Sequence, residues 1–202
     1  MTTYRPVEAI KAVAALYLLS PQIPMMFMGE EWSAGEPFPY FCDFDEELNA
    51  KVRKGRREEL SRLPGFDADD LLDPTAYLTF ASAKLDWSKL SDAPSSKMLA
   101  FYKGLLDIRR QRILPLLKDV GGKSGTFRRE GKAISVQWTL AAGSQLHLLA
   151  NLADQAATVH LGKDDSEQIF SLGSIDSNRL GPWSVVYSIG QHDIAPRAAS
   201  KS

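Results

Sequence analysis

The feature that most constrains this chain is a short, continuous apolar run, Ile23 to Gly29, placed directly after an apolar helical segment. The run is too short for a helix, and it lacks the alternation of a half-exposed strand. Strands that are buried on both faces have this composition, and they belong to parallel sheets covered by helices. Because one strand cannot form a sheet, we predict that its partner strands precede Met1. The chain is therefore expected to be the back end of a larger protein.

The segment before this run is predicted to form a helix over residues 5–19. Pro6 suits the first helical turn, and apolar side chains recur at helical spacing. These side chains are Val7, Ile10, Val13, Ala14, Tyr17 and Leu18. Alanines fill several of the other positions, so the helix has little polar surface and we expect it to lie against other structure. The helix and the run together form one αβ step of a doubly covered sheet or barrel.

Three further helices are predicted, over residues 46–62, 74–82 and 95–117. The last has an apolar stripe that includes Phe101, Leu105 and Ile108, with the spacing typical of an amphipathic helix.

The helix over residues 46–62 carries many charges, and Asp45 is its candidate N-cap. One interpretation is a solvated helix with ion pairs one turn apart, such as Glu47 with Lys51. The other is that Arg56 or Arg57 folds back onto the acidic loop before the helix.

After Gly122 the hydrophobic period changes from helical to alternating. Short strands are predicted near residues 124–129, 134–140, 145–152, 156–161, 167–172 and 182–189, with a hairpin turn at 141–144. Short strands at this spacing indicate an antiparallel sandwich.

The predicted fold class is α+β: the terminal helix–strand step of a (β/α)8 barrel with connecting helices, followed by an antiparallel β-sandwich domain. We assign residues 1–118 to the end of the barrel with its long loop and helices. Residues 119–193 are expected to form the β-sandwich domain, and residues 194–202 are expected to form a disordered tail.

Composition narrows the possible partners. A net charge of −1 and a pI near 6.3 give no field that would attract a polyanion, so nucleic acid is not expected as a partner. No apolar stretch reaches the roughly 20 residues that span a bilayer, so no membrane association is expected. Cys42 is the single cysteine and cannot form an internal disulfide. We expect a buried or half-buried structural thiol in a reducing cytoplasm.

Two carboxylate residues and an indole follow the apolar run. In (β/α)8 barrels the C-terminal strand ends and the loops after them build the active site, and here those residues would be Glu30, Glu31 and Trp32. Adjacent side chains on an extended segment point to opposite sides, so at most one of the two carboxylates would enter a cleft. That carboxylate would contact a substrate hydroxyl or orient a catalytic group; alternatively, it would support the loop backbone.

A second cluster lies in the loop over residues 33–45, where Phe41 and Asp43 stand among other aromatic residues. Rings beside acids suit sugars, because a pyranose packs its C–H face on a ring while carboxylates accept its hydroxyls. Alternatively, the rings form a hydrophobic cluster that anchors the loop. The sequence has no phosphate-binding glycine motif and no His/Cys cluster at metal-ligand spacing, so we predict no cofactor and no metal. His147 and His160 are expected to be solvated.

Four segments of the chain resemble one family. They are SPQIPMMFMGEEW, PFPYFCDFDEEL, GRREEL and DPTAYLTFASAKLDW, and they are similar to the malto-oligosyltrehalose trehalohydrolases of the α-amylase superfamily, glycoside hydrolase family 13. The resemblance covers Leu19 to Trp87. Glycogen branching enzymes carry something similar to FMGEE, whereas the ending Ala83–Trp87 favours the trehalohydrolases.

This resemblance implies that the helix–strand step is the seventh helix and eighth strand of the barrel. It implies a retaining hydrolase that cuts the α-1,4 bond next to the trehalose end of maltooligosyltrehalose. No Asn-His-Asp stretch occurs in this chain, so none of the three catalytic carboxylates can be assigned here and the chain alone is expected to be inactive. The resemblance implies that maltooligosyltrehalose or another α-glucan is the ligand of the full-length parent. The residues to which it gives a cleft-lining role are Glu30, Glu31, Trp32, Phe41 and Asp43.

Two other functions are compatible with the sequence: a stand-alone carbohydrate-binding or interaction module, and a portion of a related branching enzyme. The apolar faces of residues 7–18 and 23–28 would be uncovered without further strands. Uncovered apolar surface marks an association site, so we predict that the isolated chain oligomerises or repacks.

Overall fold

The structure is a computed structural model that describes residues 6–62, 72–118, 120–159, 166–176 and 178–191. The chain divides into two compact units. One contains the described residues up to Met25 and from Ala100 onward, and the other contains Met26–Leu99. The predicted division into residues 1–118, 119–193 and 194–202 stays a prediction, and the predicted tail lies outside the described residues.

The first helix, α1, spans Val7–Leu19, as predicted. Its buried face is made mostly of small residues, namely Ala9, Ala12, Ala14, Ala15, Leu18 and Leu19. By contrast, Val7 and Val13 are about half exposed. The small side chains allow close approach, and the helix packs on the strand that spans Ser184–Gln191. The larger apolar residues of the predicted stripe therefore do not all mark the buried face.

The predicted strand after α1 is not a paired strand in the structure. Residues 23–27 carry neither helix nor strand, and the side chains of Ile23 and Met25 are 95% and 90% exposed. A strand is stabilised by hydrogen bonds to a neighbouring strand, and the described residues supply no such neighbour here. The expectation of a buried strand is thus wrong for this chain as it stands.

Three more helices follow: α2 over Glu46–Leu60, α3 over Tyr77–Ser82 and α4 over Ala93–Ile108. The helix predicted over residues 95–117 is not uniform. Beyond α4 the backbone widens to a π-helical turn at Arg109–Ile113 and then tightens to a 3-10 turn at Leu114–Leu116. Pro115 in the last turn has no N–H for a regular helical hydrogen bond.

The C-terminal part forms two antiparallel sheets, as the alternating pattern predicted. The larger has the order β1-β2-β3-β8-β5 and the smaller the order β4-β7-β6. The strands are β1 (Gly125–Glu130), β2 (Ala133–Thr139), β3 (Ser144–Asn151), β4 (Ala157–Thr158), β5 (Glu167–Leu172), β6 (Ile175–Asp176), β7 (Arg179–Leu180) and β8 (Ser184–Gln191). A core cluster draws residues from both sheets, including Ala133 from the larger and Leu180 from the smaller.

Two buried side chains hold α1 in place within its unit. The Tyr187 hydroxyl, on β8, donates to the Leu16 carbonyl at 2.8 Å and lies 3.0 Å from Ser20 Oγ. The Arg109 guanidinium donates to the carbonyls of Leu18, Ser20 and Gln22, at 2.9, 2.5 and 2.8 Å respectively. The carbonyls at the end of a helix have no intrahelical partners, so Arg109 satisfies groups that would otherwise be left unbonded.

Among the described residues, no helix is long and apolar enough to cross a membrane. Cys42 is half-buried and lies 3.9 Å from Asn49 Oδ1, in agreement with the expected structural thiol. His147 is half-buried and lies 3.2 Å from Gln145 Oε1, so it is not simply solvated. His160 lies outside the described residues.

Candidate functional site

The first three predicted site residues form one tight turn. Glu30–Trp32 is a 3-10 helix that begins after Gly29 and ends at Ser33. Gly29 has a φ of +86°, and a Cβ there would lie 2.6 Å from the Ala34 side chain. Both facts require glycine, so the glycine fixes the direction in which the two carboxylates leave the apolar run.

This turn corrects the geometry expected for the two glutamates. The expectation placed them on opposite sides of an extended segment, but successive residues of a 3-10 helix are separated by about 120°. Both carboxylate side chains are half-buried. Glu30 Oε2 accepts a hydrogen bond from the backbone N–H of Phe27 at 3.0 Å. Glu30 thus supports the loop backbone, which is one of the two roles that the sequence allowed.

Trp32 is the buried member of the turn, with 3% of its surface exposed. Its ring stacks at a tilt on that of Trp87, with 4.9 Å between the centroids, and Trp87 is itself 63% exposed. The Trp32 Nε1–H is buried and has no hydrogen-bond partner among the described residues. Trp32 therefore supports a second, exposed indole as well as closing its own turn.

Phe41 belongs to a chain of aromatic contacts. Its ring centroid lies 5.8 Å from that of Phe38 and 5.2 Å from that of Phe80, and Phe38 lies 4.9 Å from Phe27. These edge-to-face contacts connect the start of the Glu30 turn to the aromatic loop. The arrangement matches the interpretation of the rings as a cluster that anchors the loop. Asp43, in contrast, is exposed.

This unit also contains an ion pair that was not predicted from the sequence. Lys89 Nζ bonds Glu36 Oε1, and 11% of the Glu36 side chain is exposed. The hydrogen bond from Lys89 lowers the pKa of Glu36, and the same bond raises the pKa of Lys89. The second carboxylate oxygen, Oε2, is buried and has no partner within the described part of the chain. The two residues are 53 positions apart, so no local pattern pointed to the pair.

The charged helix α2 agrees with the first interpretation offered for it and only in part with the second. Lys51 pairs with Glu47 at 2.6 Å, as predicted for a solvated helix. Arg56 also reaches back to the loop before the helix. It meets an aromatic residue there rather than an acid: its guanidinium lies 5.2 Å from the centre of the Tyr40 ring.

Within the described residues, no group of three or more His, Cys, Asp or Glu side chains could hold a metal ion. The structure brings Glu30, Glu31 and Trp32 into one turn and connects that turn to Phe41 through ring contacts. These groups can present carboxylates and aromatic faces to a polyol.

Comparison with known proteins gives partial matches to one family of enzymes. A malto-oligosyltrehalose trehalohydrolase of Deinococcus radiodurans is 34% identical over 145 residues, which is 72% of this chain and 24% of that protein. The trehalohydrolase of Brevibacterium helvolum is 33% identical over 183 residues, which is 87% of this chain and 29% of that protein. The chain thus spans only 24% and 29% of the length of these two relatives.

The structural comparison agrees. A crystal structure of an α-amylase-type protein from Salmonella typhimurium superposes with a TM-score of 0.81 and 31% identity, covering 91% of this chain and 31% of that one. Residues 122–187 match the profile of a domain of unknown function, DUF3459. The resemblance predicted from the sequence is confirmed as partial homology to the trehalohydrolases, with structural neighbours in the α-amylase family.

Proposed function

We propose that this chain serves as the C-terminal portion of a retaining α-glycosidase that releases trehalose from maltooligosyltrehalose. The observation that carries the proposal is the 34% identity over 145 residues to a malto-oligosyltrehalose trehalohydrolase. The reaction would be cleavage of the α-1,4 bond next to the trehalose end.

The exposure of the apolar run supports this assignment. Ile23 is 95% exposed, and Phe27 and Met28 are about half exposed. In the proposed enzyme the run is the eighth strand of a (β/α)8 barrel and pairs with strands of the remaining polypeptide. Pairing and burial would remove this apolar surface from water, which is favourable by about 25 cal/mol per Å².

The proposed role of the site residues is to form the rim of the cleft. The ends of barrel strands and the loops after them build such clefts, and the turn that follows Gly29 occupies that place in the proposed barrel. Glu31 would accept hydrogen bonds from sugar hydroxyls, and Glu30 would hold the turn through the Phe27 N–H, as it does here. Trp32, Phe41 and Asp43 complete the proposed rim.

The reacting groups are proposed to lie in the rest of the enzyme. A retaining glycosidase needs two carboxyl groups about 5–5.5 Å apart on either side of the scissile bond. Glu30 and Glu31 are neighbours in one turn and so cannot face each other across a glycosidic bond. We therefore expect no trehalose release by this chain alone.

A chimeric enzyme tests the proposal. The segment of the Deinococcus radiodurans trehalohydrolase that aligns with this chain is replaced by the chain, and trehalose release from maltooligosyltrehalose is measured. Retained release is the expected result. A chimera that is monomeric and cooperatively folded yet releases no trehalose would overturn the proposal, and a branched-glucan product would assign the chain to a branching enzyme instead. Glu31→Gln in the chimera should raise KM with little change in kcat, because a hydroxyl contact binds substrate and transition state alike.

A further inference from the structure

The β-rich unit contains a groove that none of the predicted site residues enters. Its volume is about 560 Å³, within the usual range for small-molecule sites. Its walls are the turn after α1, with Pro21 and Gln22, and the glycine-rich loop over residues 120–124. Strands β1 and β2 form its floor.

The floor presents aromatic and apolar surface. Gly125 pairs with Trp138 and Phe127 pairs with Val136 across the two strands, so all four lie on one face of the sheet. The Phe127 side chain is 76% exposed. A Cβ at Gly125 would lie 2.7 Å from Trp138 Cδ1. The backbone of Gly125 therefore packs directly on the indole, and no side chain rises from this position beside the Phe127 ring.

The wall formed by the turn after α1 is held in place by buried hydrogen bonds. The Arg109 guanidinium donates to the carbonyls of Ser20 and Gln22. Gln22 lines the groove, and Ser20 directly precedes Pro21, which also lines it. Ser20 Oγ also lies 3.0 Å from the buried Tyr187 hydroxyl. The groove therefore has one wall fixed by buried hydrogen bonds, and a ligand would not need to order that wall on binding.

The charge of the lining indicates the class of ligand. Lys123 is the one ionisable side chain among the lining residues that the structure describes. Neutral hydrogen-bonding groups are supplied by Gln22, Ser124 and Thr126. A ring face beside neutral donors and acceptors suits a ligand that is uncharged, rich in hydroxyls and apolar on one face. An oligosaccharide has these properties.

We propose that this groove is a binding site for an α-1,4-linked glucan, with Phe127 as the stacking platform. The choice of α-glucan over other neutral sugars rests on the proposed function; the groove itself does not. None of its lining residues belongs to the proposed rim at Glu30–Trp32.

Isothermal titration of the full chain with maltohexaose tests this proposal, with cellohexaose as the linkage control. Saturable binding of maltohexaose is expected. Phe127→Ala should weaken it about tenfold, the effect of losing much of one aromatic contact, whereas Phe127→Tyr keeps the ring and should stay within about threefold. Tyr77→Ala removes an aromatic side chain of similar exposure, 70%, outside the groove and should leave binding unchanged.

Three results would overturn the site. They are the absence of maltohexaose binding, equal affinity for the native chain and Phe127→Ala, and loss of self-association in Phe127→Ala without loss of sugar binding. The last would show that the Phe127 ring contacts another copy of the chain. Trehalose release by the chimera, measured separately, distinguishes these failures from a failure of the proposed function.

Discussion

At the scale of single residues, Arg109 is the side chain that holds the end of α1. It is 6% exposed, its pKa is lowered by burial, and no carboxylate pairs with it among the described residues. Its charge is met instead by the dipoles of three backbone carbonyls. Hydrogen bonds that involve a charged group are stronger than neutral ones. The end of α1 therefore depends on one side chain that lies about 90 residues later in the chain.

Replacing Arg109 tests this dependence. Arg109→Ala leaves three carbonyls without their donor, and we expect it to lower the free energy of unfolding by about 3 kcal/mol. Urea denaturation measures the change. Arg110→Ala is the matched control, because Arg110 is exposed and pairs with the exposed Asp107 one turn away; its effect should stay within about 0.5 kcal/mol. Similar effects of the two substitutions would contradict the role given to Arg109.

Because Tyr187 is buried, we expect the free energy of unfolding to depend on pH in the alkaline range. Burial raises the pKa of its hydroxyl, so between the unfolded pKa, near 10, and the higher folded pKa the unfolded chain loses this proton first. The unfolded state then binds fewer protons, and the free energy of unfolding falls as pH rises, by up to about 1.4 kcal/mol per pH unit. Below about pH 10 the tyrosine is neutral in both states and contributes no slope.

The Tyr187→Phe variant cannot ionise, so the difference in stability between it and the native chain should shrink as the pH rises from 9 to 11.5. Chemical denaturation at several pH values measures this. The corresponding difference for Tyr77→Phe, an exposed ring, serves as the comparison. A difference that is constant with pH for Tyr187→Phe would show that the hydroxyl is not held neutral by the fold.

At the scale of elements, α2 is a helix without buried residues. A helix that is polar all round depends on its cap and its ion pairs. The cap is Asp45, whose Oδ1 accepts from the Leu48 N–H at 2.9 Å. The pairs at its surface, such as Lys51 with Glu47, are exposed and are screened by salt. The helix should therefore be among the first elements to open.

Asp45→Ala removes the cap and should destabilise α2 by about 1 kcal/mol. Hydrogen exchange of amides 46–60 is the suitable measurement, since local opening would raise their rates while the rates of β3 and β8 stay unchanged. Asp43→Ala removes an exposed carboxylate from the same loop without touching the cap and provides the control. Exchange that is equally fast in both variants would count against the cap.

At the scale of the whole molecule, the apolar run after α1 is expected to control association. Met25 is 90% exposed, and Ile23 even more so; contiguous apolar surface of this kind promotes binding to other protein surfaces. We expect the isolated chain to self-associate. Light scattering on Met25→Lys should show a lower average mass than on the native chain. Gly55→Lys adds the same charge at an open position of α2 and should leave the mass unchanged; a native chain that is already monomeric would contradict the prediction.

Whether a feature could be predicted from the sequence depended on how far apart along the chain its interacting residues lie. Local signals sufficed for α1, for the Asp45 cap and for strands such as β3, whose alternation predicted the burial of Leu146 and Leu148. The partners of Lys89 and Arg109 lie more than 50 positions away, and no local pattern encodes such contacts. The turn at Glu30 was missed for another reason: an apolar run was assumed to continue extended beyond its glycine.

The alanine face of α1 has a consequence for how sequence changes act on this chain. Alanine has no side-chain conformational freedom to lose on burial, so the four buried alanines of α1 have no rotamer with which to adjust to β8. Ala12 and Ala15 are completely buried. A single added methyl group at either position would displace the helix axis rather than a rotamer. Because Gln22 follows α1 closely in the chain and lines the groove, such a change would also narrow or widen the groove.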